Sequence, residues 1–127
     1  MGRIIFTIGF AGRTAEDFFT TLAEVEVVTL VDVRIRPAGQ LAGYARKQDL
    51  PFFLSRLVPA CDYRLMPELA PTQEILLEYR RTRDWSEYCA AFEGLMDARG
   101  VPGSLNPADF DRACLLCSEA SADKCHR

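Results

Sequence analysis

The feature that most constrains this chain is a set of apolar runs that do not alternate. Arg3 to Ile8 reads RIIFTI, Val27 to Val33 reads VVTLVDV, and Ala113 to Cys117 reads ACLLC. A strand with one wet face alternates apolar and polar residues, whereas a strand covered on both faces does not. The three runs therefore predict strands of a mostly parallel sheet buried between helices. The stretches between them carry helical spacing. Thr14 reads as an N-cap with Asp17 three residues later, and Phe18, Leu22 and Val25 follow on one face. Asp49 and Pro51 open a helix with Phe53, Leu54, Leu57 and Val58 inward. A short strand fits Asp62 to Leu65. Thr72 caps a charged helix through Arg80. Another helix runs from Trp85 to Arg99, with Tyr88, Phe92, Leu95 and Met96 on the helical period and Gly100 as its stop. The segment VPGSLNPADF reads as a loop, and the last residues begin a helix.

Strands alternating with helices require right-handed crossovers. The expected fold is thus α/β, a Rossmann-like three-layer sandwich with helices on both faces of the sheet. With 127 residues the chain has the size of one compact domain, 1–127. No apolar run is long enough to cross a bilayer, and MGRIIFTIGF is too short in apolar residues for a signal peptide. These features lead to the expectation of a cytoplasmic protein without a membrane partner. In that setting five cysteines are thiols rather than a disulfide framework. A net charge of −3 excludes a surface that is basic throughout, so nucleic acid contact needs a local patch.

Ligands of open parallel sheets sit beyond the carboxyl ends of the strands. Here those ends are Gly9 to Arg13, Asp32 to Arg36 and Cys117 to Glu119. An acid at the end of an apolar strand is costly unless paired or solvated. Asp32 with Arg34 is therefore a structural ion pair or a functional couple. Cys114 and Cys117 spell C-x-x-C, yet on a strand they point to opposite faces, which argues against a disulfide or a shared metal. A zinc site from Cys117, Cys125 and His126 is disfavoured, because adjacent helical residues point roughly 100° apart. No metal or cofactor is expected. If Ser121 caps the final helix, Cys125 falls in its first turns, where a thiolate is favoured. The alternative is a small packing residue, the role expected of Cys61 and Cys89. The reference pKa of histidine lies near neutrality, so His126 could serve in acid–base work, although a lone histidine is often structural.

Several of these residues together resemble one family. They are TIGF with AGRT (Thr7 to Thr14), the DVR of Asp32 to Arg34 followed by Arg36-Pro37, DWSEYCAAF (Asp84 to Phe92), and LLCSE with CHR at the end. The pattern is similar to the family known as domain of unknown function 488, over nearly the whole chain. The resemblance implies an α/β sandwich with a mostly parallel sheet. It also marks Thr7, Gly9, Asp32, Arg34, Pro37, Cys117, Glu119, Cys125, His126 and Arg127 as motif positions. Ala70-Pro71 stands where such proteins often have a glycine. Members continue as a helix beyond CHR, so the resemblance implies a terminal helix cut short at Arg127.

Three functions follow from these residues. The leading one is an enzyme acting on a small anionic or nucleotide-like substrate at the carboxyl edge of the sheet. Arg34 and Arg36 would hold the anion. Thr7, Gly9, Cys125 and Arg127 would join them in binding, as the resemblance suggests. Asp32 and Glu119 would divide the acid and base roles, with His126 as a further proton carrier. Cys117, or else Cys125, would be the nucleophile of a covalent mechanism. The second is a nucleic acid binding or processing protein, with Arg34, Arg36, Arg46 and Lys47, joined by Arg80, Arg81 and Arg83, along the phosphates. The third is a non-catalytic module whose Cys/His terminus is structural.

Overall fold

A computed structural model of the chain describes residues 3–118 and 125, with the backbone alone at 40–42. The apolar runs become strands: β1 (Ile5–Gly9), β2 (Thr29–Asp32) and β4 (Ala113–Cys117), joined by the shorter β3 (Asp62–Leu65). They form a four-stranded sheet of order β1-β4-β2-β3, with every pairing parallel. The helices are α1 (Ala15–Glu24), α2 (Leu50–Leu57), α3 (Gln73–Thr82) and α4 (Trp85–Ala98). The chain steps one way across the sheet from β1 to β2 to β3, then returns to insert β4 between β1 and β2. A right-handed crossover changes face when that direction reverses.

The core follows this path. On one face Ile8, Leu30, Cys114 and Leu116 pack with Phe18, Phe19 and Leu22 of α1 and with Leu50 and Leu54 of α2. On the other face Val31, Val33 and Ala113 pack with Met66 and with Phe110, which lies in a 3-10 turn at Pro107–Phe110. Cys114 belongs to the first face and Leu115 to the second, which bears out the alternation expected along ACLLC.

Local chemistry sets the boundaries. Thr14 Oγ1 accepts the Asp17 amide at 3.0 Å, and Thr72 Oγ1 accepts that of Ile75 at 3.2 Å. Asp84 caps α4 through the Glu87 amide at 3.1 Å. Gly100 ends α4 at φ 74°, a left-handed conformation that glycine adopts without a Cβ penalty. The inner stripe of α2 differs from expectation at one position: Leu50 is buried, whereas Leu57, the last helical residue, is 53% exposed. Among the described residues no helix is long and apolar enough to cross a membrane.

Candidate functional site

The carboxyl ends of three neighbouring strands form one rim. Gly9 stands opposite Cys117, and Asp32 stands opposite Leu116. Backbone bonds carry the pairing past the strands: Phe10 N donates to Cys117 O at 3.3 Å, Ala11 N to Ser118 O at 3.2 Å, and Val33 N to Leu116 O at 3.2 Å. Over the described residues, the strand ends named for ligand contact thus meet in space.

Asp32 and Arg34 are the buried charged pair of this rim, 0% and 3% exposed. Asp32 Oδ1 accepts from Arg34 N at 3.1 Å and from Arg34 Nε at 2.8 Å. Its Oδ2 accepts from Arg34 Nη2 at 2.7 Å and from the Tyr63 hydroxyl at 2.5 Å. Arg34 Nη2 also donates to Ala45 O at 2.6 Å, which ties the segment after β2 down onto the rim. The Phe10 ring lies beneath the guanidinium, 5.5 Å from centroid to carbon. Arg34 Nη1 is buried and has no hydrogen-bond partner among the described residues. Burial, and next the bond to Asp32, raise the Tyr63 pKa and keep its phenol a proton donor to the carboxylate. Four donors occupy the two oxygens of Asp32. In this arrangement the acid orients Arg34 and offers no open lone pair to a substrate proton.

The sulfur side of the rim is separate. Cys117 follows Leu115 by two and shares its face, whereas Asp32 shares the face of Leu116. Their common placement at strand ends leads to the expectation that Asp32, Arg34, Cys117 and Glu119 face one shared cleft; Asp32 and Cys117 instead share a rim but leave the sheet on opposite faces. The cause is register: a one-residue offset sends a side chain to the other side. Cys125 Sγ lies 2.6 Å from Cys117 Sγ, and both residues are buried, at 9% and 5% exposed. Tyr88 of α4 is their neighbour. Burial, then the nearby Cys125 and Cys117 sulfurs, push its hydroxyl up to about 12.

The remaining expected positions scatter. Thr7 is exposed on the edge strand β1, opposite Leu115, while Gly9 is buried and its carbonyl accepts from Arg13 Nε at 3.0 Å. Arg36 is exposed, and the adjoining Pro37 carbonyl accepts from Lys47 N at 2.8 Å. Arg46 lies 3.3 Å from Asp49. On α3, Arg81 is paired with Glu78 at 2.5 Å, and Arg83, which follows the helix, lies over the Tyr79 ring. Arg80 is exposed. Glu119, His126 and Arg127 lie outside the described residues, as does the cap expected at Ser121. Among the described residues no group of three or more His, Cys, Asp or Glu side chains is arranged to hold a metal ion.

Tyr63 is not legible in the sequence as part of the site, and Phe10 is marked there only as a member of the Gly9 to Arg13 segment. The register that puts Tyr63 opposite Leu30 also puts it on the face of Asp32, and only the paired strands reveal this. A cleft of about 800 Å³ lies elsewhere. It runs along the edge strand β3 past Thr29, Cys61, Asp62 and Arg64, toward Asp109 and Asp111. It gathers no buried charged pair, so the rim remains the better candidate.

A family model described as Domain of unknown function DUF488 matches residues 14–127, and the chain belongs to that family. The match begins at Thr14, so Thr7 and Gly9 precede it. No curated protein and no solved structure matches the chain.

Proposed function

We propose that this DUF488 protein is an enzyme acting on a small anionic or nucleotide-like substrate at the carboxyl edge of its sheet. The observation that carries the reading is Arg34 Nη1, a buried guanidinium nitrogen without a partner among the described residues. A buried donor left unsatisfied costs about 1–3 kcal/mol, and an anionic oxygen would remove that cost. Asp32 and Tyr63 fix the guanidinium, and the Phe10 ring gives it an apolar wall suited to a planar base. Asp32 neutralises Arg34, so the exposed Arg36 supplies the net attraction for the anion.

The test is a binding panel of inorganic phosphate, nucleosides, nucleoside mono-, di- and triphosphates, and short single-stranded oligonucleotides. A phosphate-bearing small molecule is expected to bind. Arg36→Ala should weaken that binding about tenfold, or about 1.4 kcal/mol, with the fold intact. Binding of oligonucleotides alone, with affinity falling steeply with salt, would favour the nucleic acid reading through Arg36, Arg46 and Lys47. Binding of nothing in the panel contradicts the proposal.

A further inference from the structure

Two buried sulfurs stand side by side at the end of β4. Cys117 closes the strand, and Cys125, eight residues further on, places its Sγ 2.6 Å away. The two sulfurs are in direct contact, so a bond between them needs only a small further approach, to about 2.05 Å. The other cysteines are placed differently. Cys114 lies in the core on the opposite face of the sheet, and Cys89 is half-buried on α4. Cys61 donates to the Asp62 carbonyl at 3.5 Å, and burial pushes its thiol up to about 11, which disfavours the nucleophilic thiolate. Proximity therefore singles out one pair of the five.

We propose that Cys117 and Cys125 form a reversible two-electron redox couple that exchanges with small disulfides. Cys125 is the more exposed of the two and makes the first attack. Its thiolate adds to one sulfur of the small disulfide, breaks that S–S bond and expels a small thiolate. The Cys117 thiolate then attacks the Cys125 sulfur of the mixed disulfide and expels the second small thiolate. The protein loses two electrons, and the two thiol protons end on the two small thiols. The product ties residue 125 covalently to the end of β4 and removes Cys117 as a nucleophile. This inference stands apart from the anion-binding reading, because its readout is thiol state rather than ligand binding.

The experiment uses the whole chain, equilibrated in mixtures of reduced and oxidised glutathione, quenched, alkylated and mapped by mass spectrometry. Cys117 and Cys125 are expected to lose alkylation together in one two-electron transition and to appear as a linked peptide pair. Cys61, Cys89 and Cys114 should remain thiols throughout and be alkylated once the quenched chain is denatured. Cys125→Ser should abolish the linked species, and the wild-type result is decisive even if that variant folds poorly. Independent titration of the two thiols would overturn the proposal. So would glutathione adducts without a linked pair, a link to another cysteine, a covalent dimer, or no change in fully oxidising mixtures.

Discussion

Moving a carboxylate and a guanidinium out of water costs several kcal/mol per ion, and a buried pair persists only where the remaining donors and acceptors are met. Asp32 meets that condition, because Arg34 N, Nε and Nη2 and the Tyr63 hydroxyl surround it. Removing the acid strands the Arg34 charge, so Asp32→Ala should lower stability by about 3–5 kcal/mol. Tyr63→Phe deletes one bond to a charged group and should cost about 1.5–3 kcal/mol. Urea unfolding of both variants checks the order, and equal losses would mean that Asp32 is not the centre of the network. The sequence made Asp32 and Arg34 visible, because two opposite charges just past an apolar strand need each other. Tyr63 was hidden, since its contact depends on a register between strands distant in sequence. The same is true of the sulfur pair: that Cys125 meets Cys117 in space is something their spacing alone does not specify.

Helix ends were the most legible elements, because a cap needs only its neighbours. Thr14 and Thr72 each accept an amide three residues on, as their positions suggested. Thr14→Ala should cost about 1 kcal/mol, within the usual range of about 0.5–2 for a lost N-cap. Ser86→Ala on α4, an exposed position, should change stability by less than about 0.5 kcal/mol. Denaturant midpoints of the two variants would show the contrast, and a neutral Thr14→Ala would mean that the cap contributes nothing to α1. Strand identity was also legible from unalternated runs, including the opposite facing of Cys114 and its neighbour Leu115. Strand order was not. The insertion of β4 between β1 and β2 decides that Asp32 and Cys117 share a rim without sharing a face.

For the molecule as a whole, burial raises the pKa of Cys61 from 9.0 to about 11 and of Tyr88 from 10.0 to about 12, and it raises Tyr63 as well. Below the unfolded values these groups are protonated in both states. As pH rises past about 9, the unfolded chain gives up protons that the folded chain retains, so stability falls. The Cys61 loss is complete near pH 11 and that of Tyr88 near pH 12. The urea midpoint should therefore drop between about pH 9 and pH 11, and a flat or rising midpoint would contradict the burial of these groups. The central claim is that the rim, rather than the large cleft along β3, receives a small anion. Backbone and arginine side-chain NMR shifts, followed during titration with phosphate and a nucleoside monophosphate, test it most directly. The account predicts saturable shifts at the Arg34 guanidinium and at Phe10, Ala11, Arg36 and Ser118. Saturable shifts confined to Thr29, Asp62, Arg64 and Asp109, with Arg34 unmoved, would contradict it.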